Sequence, residues 1–414
     1  MSRCVAGLDW AKDDHRVCVV DETGERLIDR SYPMSDEGLD LLCRGLVEAG
    51  CGRVAIERPD GIVVDRLLGA GIGLMPIHPN QVKAARARFR PGGGKSDSFD
   101  AYVLAELART DHHRFRLLVP DSDETRALRA LTRARADLVA HRVALANQLR
   151  DQLERFWPGA AVIFSEVDSP IALAFLTRYP CPADAAGLTP AGLARFLARE
   201  GYSGRRGPSE LLDRLQQAPT GSSADHELEA RRCIVTANVA ALQPLVSHIR
   251  LVTSQIAHAL AAHQDGHIFR SLFVDPKSVV TAATLLAEIG DRRERYPNAQ
   301  ALAADAGMCP VAVESGRQRT AVFRYACDKR LRDAVAVLAD ASRHRNPWAA
   351  DIYRRARERG KDHPHAIRIL GRAWLLVLWR MWQDRTSYNP AQHTSATRLT
   401  QTPAGTPTAA ETDA

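Results

Sequence analysis

Four carboxylates stand out by where they fall in the chain. Asp9 closes the apolar run Val5 to Asp9, and Glu57 closes the run Val54 to Glu57. Asp97 and Asp100 sit three apart at the start of the helical run Ser98 to Arg109, so both project from one helix face. Singly, each has an ordinary reading: an acid after a strand is commonly a turn residue, and acids in a first helical turn are favoured by the macrodipole. As a set they read differently. An RNase H-like arrangement places acids from its first strand, its fourth strand and a later helix in one cluster. Four ionised carboxylates so close repel one another unless a cation compensates. Oxygen-only ligands suit Mg²⁺, which keeps waters and binds phosphate oxygens. Two such ions, about 3.5–4 Å apart, activate a nucleophile and stabilise the leaving oxygen in phosphodiester cleavage. The expectation is that Asp9, Glu57, Asp97 and Asp100 are catalytic metal ligands holding two Mg²⁺ ions.

Cations flank the acids. Lys83, Arg86, Arg88, Arg90 and Lys95 precede Asp97, with Pro91 and three glycines between. This reads as a mobile basic loop suited to a DNA backbone lying over the metals, or else as a solvated loop tip.

The elements that must position these groups alternate in period. Val5–Asp9, Arg16–Asp21, Glu25–Tyr32, Val54–Glu57 and Gly73–His78 read as strands; residues 39–47, Ile62–Leu68 and Ser98–Arg109 read as helices. The order βββαβαβα gives a mixed sheet with helices on its faces. Asp121 to Trp157 then reads as one long helix ended by Pro158. Its polar face carries Arg126, Arg129, Arg133, Arg135, Arg142 and Arg150, either a solvated face or a surface for nucleic acid or a partner helix. Glu227 to His263 reads as a second long helix kinked at Pro244, and Val279 to Ile289 as a helix stopped by Gly290. Trp374, Trp379 and Trp382 fall on a helical run, as core residues do. His363 and His365, like His112 and His113, lack a third ligand nearby and read as polar surface. Beyond Thr386 the chain has almost no large apolar residue and reads as a disordered tail.

Composition excludes several classes. The 414 residues are long enough for two or three cores, 45% hydrophobic and 25% charged, as in a globular protein. The net charge of +7 fits a phosphate-rich partner without requiring one. Eight scattered cysteines form no CxxC pair and no zinc spacing, which reads as a reduced, intracellular protein. The most apolar stretch, Ala373 to Trp382, contains Arg380 and is too short to span a bilayer. A cytoplasmic, nucleoid-associated location is expected. No GxxxxGK[ST] loop is present, so ATP use is not indicated.

At the acidic residues the chain resembles the DEDD (RuvC-like) insertion-sequence transposases of the "IS one-ten" family, the bridge-RNA-guided serine recombinase type. Gly7-Leu-Asp9-Trp-Ala-Lys12 with His15 and Val17–Asp21 resembles that family's opening signature; Ile56-Glu57 with Gly61 resembles the second motif. Pro79–Lys83 and Lys95–Ala101 resemble the third and fourth. A second region, Thr281–Asp291, Ala301–Gly307, Pro310, Glu314-Ser315-Gly316 and Leu331-Arg332, is similar to the family's C-terminal transposase domain. The resemblance covers roughly residues 4–110 and 270–382. It implies that Asp9, Glu57, Asp97 and Asp100 are the DEDD ligands and that Ser315 is a nucleophile forming a DNA-phosphoserine link. On sequence alone, Ser315-Gly316 before a basic stretch reads as a turn. Arg317, Arg319, Arg324, Lys329, Arg330 and Arg332 follow it, either holding the scissile backbone or forming a solvated surface.

The resemblance further implies donor and target DNA as substrates and an element-encoded structured non-coding RNA as partner. It implies a homo-oligomer, dimer or tetramer, that joins one chain's acids to another's serine. Two departures stand out. The family's glycine-rich loop is replaced by Val274-Asp-Pro-Lys-Ser278, and its Gly-Asn pair by Asp328-Lys-Arg330. The expected organisation is α/β plus all-α. A RuvC-like mixed-sheet domain spans 1–118, a helical, coiled-coil-like region 119–269, a mostly helical transposase domain 270–385 and a disordered tail 386–414. Two other functions use the same residues: an RNase H-type or junction-resolving nuclease that hydrolyses with water and has no need of Ser315, and a non-catalytic nucleic-acid-binding protein.

Overall fold

The computed structural model describes residues 4–89, 96–219, 224–316 and 318–392, apart from the side chains of residues 318 and 319. The chain divides into two compact units, Met1–Pro120 and Asp121–Ala414.

The first unit is a five-stranded sheet in the order β3-β2-β1-β4-β5. Its strands are β1 (Cys4–Trp10), β2 (Asp14–Asp21), β3 (Arg26–Pro33), β4 (Cys51–Ile56) and β5 (Gly73–Pro76). The first three run antiparallel, whereas β4 pairs parallel with both β1 and β5. Four helices cover it: α1 (Asp36–Glu48), α2 (Ile62–Gly69), α3 (Pro79–Phe89) and α4 (Asp97–Thr110). This mixed sheet is compatible with an RNase H-like domain followed by a helical body.

Strand alternation sorts side chains between the two faces. Ala6, Leu8, Val54 and Ile56 point to the face covered by Leu39, Leu42 and Leu46 of α1. Ala55, Cys18 and Val20 point to the other face, against Phe99, Ala101, Val103, Leu104 and Ala105 of α4. Gly7 also lies on the α4 face, and the helix packs directly on its backbone. A Cβ there would stand 2.1 Å from Ala101 O and 2.3 Å from Ala105 N.

One expectation is corrected here. Lys83, Arg86 and Arg88 are not on a loop: α3 runs from Pro79 to Phe89 and is pinned by buried Val82. Pro at its first position suits an N-terminus. The glycine stretch that suggested a loop begins only after the helix. Arg90 and Lys95 lie outside the described residues.

Among its described residues the second unit is helical apart from one hairpin. The long helix α5 (Asp123–Phe156) is followed by α6 (Pro158–Val162), α7 (Pro170–Arg178), α8 (Pro182–Ala185), α9 (Pro190–Arg199) and α10 (Pro208–Gln217). Then come α11 (Asp225–Ala262), α12 (Gly266–Arg270), α13 (Val279–Ile289) and α14 (Ala299–Asp305). The hairpin is β6 (Val311–Ser315) with β7 (Gln318–Val322), and α15 (Lys329–Ser342), α16 (Pro347–Glu358) and α17 (His363–Asp384) complete the unit. Two apolar cores form. One gathers Leu149, Leu153, Phe156, Phe175, Leu211 and Val239 from α5 to α11. The other gathers Leu285, Leu286, Leu338, Leu370, Trp374 and Trp382 with Leu128 and Ile256 of the long helices. The helix α11 passes through Pro244 without a break. The hairpin was not anticipated from sequence.

The α5 arginines divide between neighbouring helices and solvent. Arg133 grips Glu288 through Nε (2.9 Å) and Nη2 (2.6 Å), and Arg129 donates to Ala287 O (2.7 Å). Arg135 donates to Thr253 Oγ1 (2.7 Å), and Arg142 and Arg150 face Asp168 (3.2 Å) and Glu166 (3.8 Å). Arg126 faces Asp123 at 3.7 Å. Arg129, Arg133 and Arg135 knit α5 to α13 and α11, as the partner-helix reading expected, whereas Arg126, Arg142 and Arg150 remain well exposed. Trp374 and Trp382 are buried in the core, as their helical spacing suggested.

The sequence stretch read as a tail is partly ordered. Tyr388 stacks near Trp374, 5.2 Å between ring centres, and its hydroxyl accepts from Asn346 Nδ2 at 2.7 Å. Residues 393–414 lie outside the described residues. Among the described residues no helix is long and apolar enough to cross a membrane.

Candidate active site

The parallel register of β1 on β4 places Leu8 opposite Ile56, so the next residues, Asp9 and Glu57, emerge side by side at the strand ends. Both follow by two a residue facing α4 (Gly7 and Ala55), so the alternation directs them to that same face. Trp10 and Arg58 tie the two ends together: the indole Nε1 donates to Arg58 O at 3.2 Å, and the Arg58 guanidinium lies 4.4 Å from the indole centre. Neither residue was singled out from sequence. The only signal was their position beside the two acids.

The helix α4 begins at the same mouth. Ser96 caps it, its Oγ accepting from Phe99 N at 3.2 Å, and Asp97 and Asp100 occupy the first turn. Asp97 is exposed. Asp100 is one turn on and 2% exposed. A buried carboxylate needs a partner, and Asp100 has Arg86 from α3, whose Nε donates to Asp100 Oδ1 at 2.6 Å. The same guanidinium reaches Glu57 Oε1 through Nη2 at 3.3 Å. Two of the four acids therefore converge on one cationic side chain, and Asp9 emerges on the strand beside Glu57. Among the described residues no three His, Cys, Asp or Glu side chains group closely enough to enclose a metal ion. The donor set at this mouth is nonetheless all oxygen, and its two innermost members already share a positive charge. Carboxylate oxygens are the donors that a hard divalent cation takes.

The basic residues divide. Lys83 and Arg88 are exposed on α3, whereas Arg86 is turned to the acids.

In the second unit Ser315 ends β6 opposite Gln318, exposed, and Gly316 follows it with φ +57°. This left-handed conformation favours glycine in tight hairpin connections. Arg317 and the Arg319 side chain lie outside the described residues. Downstream, Arg324 donates to Cys309 O (3.2 Å) and Arg332 to Arg324 O (2.6 Å), and Arg332 stacks on Phe323 at 4.7 Å. Arg330 pairs with Asp137 of α5 at 3.0 Å, and Lys329 is exposed. Arg324 and Arg332 therefore brace the base of the hairpin.

Residues 278–354 match the family model described as "Transposase IS116/IS110/IS902 family", and residues 6–158 match a model described as "Transposase". A protein of Streptomyces coelicolor named "Mini-circle putative transposase for IS117" is 34% identical over 404 residues, covering 92% of this chain and 94% of its own length. This chain belongs to the IS116/IS110/IS902 family of transposases. The "Insertion element IS900 uncharacterized 42 kDa protein" of Mycobacterium paratuberculosis is 29% identical, covering 94% of this chain and 98% of its own. The corresponding IS110 protein of Streptomyces coelicolor is 28% identical, covering 92% of this chain and 94% of its own. The first family match contains Asp9, Glu57, Asp97 and Asp100, and the second contains Ser315.

Proposed function

We propose that this transposase cuts and rejoins DNA through a covalent serine intermediate in a Mg²⁺-dependent reaction. The observation that carries the reading is the convergence of Glu57 and Asp100 on one cation at the mouth of a mixed sheet, with Asp9 on the adjacent strand. Bound there, Mg²⁺ supplies positive charge to a phosphodiester and lowers the cost of its transition state. Asp9, Glu57, Asp97 and Asp100 hold the ions, and the exposed Lys83 and Arg88 contact the strand's phosphates.

Ser315 Oγ attacks the phosphorus. A new P–O bond to serine forms, the bond to one deoxyribose oxygen breaks, and the serine proton ends on that departing oxygen. Rejoining reverses the exchange with a different deoxyribose hydroxyl, so no bond energy is lost to water. An exposed serine at a hairpin tip is accessible to a nucleic-acid strand, which a core serine is not. Following the family resemblance, donor and target are selected by a structured non-coding RNA, and the working species is a homo-oligomer.

The deciding experiment is a denaturing gel for covalent protein–DNA adducts. It uses labelled element ends, the flanking transcript and Mg²⁺, comparing wild type with Ser315→Ala. An adduct confined to wild type supports the serine recombinase. Cleavage in both without an adduct replaces it with the hydrolytic nuclease, and binding without cleavage replaces it with a non-catalytic nucleic-acid-binding protein.

A further inference from the structure

Arg86 is placed unlike the other cations of α3. It follows buried Val82 by four residues, so it shares that residue's inward face, while Lys83 and Arg88 are exposed. Its guanidinium is split between two carboxylates: Nε on Asp100 Oδ1 at 2.6 Å and Nη2 on Glu57 Oε1 at 3.3 Å. A guanidinium gripping one carboxylate with both donors gains more from geometry than one divided between two. The divided arrangement instead holds two acids at one point.

The charges at the mouth do not balance. Arg86 contributes one positive charge against the two carboxylates it touches, Glu57 and Asp100. A divalent ion at the same oxygens neutralises twice as much. Asp100 Oδ1 cannot keep Arg86 at 2.6 Å and also bind a metal along the same direction. Arg86 is not trapped: its side chain is 27% exposed, and the helix that carries it ends three residues later at Phe89.

We propose that Arg86 is a placeholder counter-ion. It holds Glu57 and Asp100 converged, leaves them when a divalent cation enters, and joins Lys83 and Arg88 as a phosphate contact. This deepens the metal-dependent reading and rests on it. Arg86 is a positioning residue, and it couples the two ligands of the site. Metal entry frees a cation for DNA, so metal tightens DNA binding, and DNA tightens metal binding by the same factor.

The test is calorimetric titration of Mn²⁺ into the full-length chain as wild type, Arg86→Gln, Arg86→Lys and Asp100→Asn, with thermal melts to confirm folding. Hydrogen exchange of residues 79–89 is followed with and without Mn²⁺. The expected result is that Arg86→Gln binds Mn²⁺ about tenfold more tightly, Arg86→Lys falls between it and wild type, and Mn²⁺ speeds exchange of α3 in wild type only. If Arg86→Gln destabilises the fold, the wild-type exchange measurement and Arg86→Lys carry the test. Equal or weaker Mn²⁺ binding by Arg86→Gln and Arg86→Lys, with binding still lost in Asp100→Asn, overturns the placeholder and leaves the metal site standing. Mn²⁺ binding that is absent in wild type, or unaffected by Asp100→Asn, overturns the metal reading itself.

Discussion

Glu57 and Asp100 lie 43 positions apart in sequence and meet on neighbouring donors of the Arg86 guanidinium, Nη2 and Nε. One comes from the end of a central strand, the other from the first turn of a helix packed against that strand's neighbour. The meeting depends on how closely α4 approaches β1, and that approach depends on a residue with no side chain.

Gly7→Ala is therefore expected to damage the site without touching it. The new Cβ would stand 2.1 Å from Ala101 O and 2.3 Å from Ala105 N, both backbone atoms that cannot turn aside. The helix must lift, at a cost of about 3 kcal/mol for overpacking. A chemical-denaturation series on Gly7→Ala should show that loss. A variant as stable as wild type would mean that α4 is not held where the sheet places it.

Asp9→Ala is expected to abolish both cleavage and joining while leaving the fold intact. Asp9 is partly exposed at a strand end, so its loss removes no core contact. Thermal melts should agree with wild type to within about 0.5 kcal/mol, the usual range for surface changes. Strand exchange by this variant would remove Asp9 from the metal-binding set.

Ser315→Ala separates chemistry from structure more sharply. The residue is exposed at the end of a two-stranded hairpin, and removal of its hydroxyl should change stability by no more than about 0.5 kcal/mol. DNA binding should persist and joining should vanish. Persistent joining would disqualify Ser315 as nucleophile.

The strand ends at Asp9 and Glu57 and the helix start at Asp97 and Asp100 were legible because each has a local signature: Val54-Ala-Ile before Glu57, and a helical run from Ser98 beside Asp97 and Asp100. The alternation of buried residues likewise marked the strands of the sheet to within a few residues. Arg86 was not legible in its observed role. Sequence showed a cation among five cations near a glycine run, and only the packing of Val82 turns one of them inward. Which α5 arginines face a partner helix was hidden for the same reason. The partners of Arg133 and Arg135, Glu288 and Thr253, lie more than a hundred residues away, beyond the reach of any periodic pattern. The β6–β7 hairpin escaped because its strands are short and their described side chains are exposed at nearly every position, so no apolar alternation announces them.

Glu288→Ala tests the α5–α13 junction. Glu288 is 2% exposed and receives both donors of Arg133, with Arg129 Nε at 3.9 Å. Removing the carboxylate leaves the partly exposed Arg133 without its counter-charge, whereas Arg129 keeps Asp121. Losing both charge-assisted hydrogen bonds costs about 2 kcal/mol. Unfolding of the variant followed by circular dichroism should show that loss, whereas a change under about 0.5 kcal/mol would assign the junction to its apolar contacts alone.

His15 gives the first unit a pH dependence. It is fully buried, its Nδ1 has no hydrogen-bond partner among the described residues, and its Nε2 meets Met34 Sδ at 3.0 Å. Burial holds its pKa below the ordinary 6.5, opposed by the neighbouring Asp14 carboxylate. The folded state therefore refuses a proton that the unfolded state accepts. The sign follows: stability is unaffected by this group well above pH 6.5, and falls as pH drops below 6.5 toward the folded-state pKa. Replacing His15 with Met removes the titrating ring while keeping an apolar side chain against Tyr32 and Met34. Denaturation midpoints measured from pH 7.5 to 5.0 should decline for wild type and decline less for His15→Met. Parallel slopes would show that the imidazole takes up its proton equally in both states, which its burial forbids.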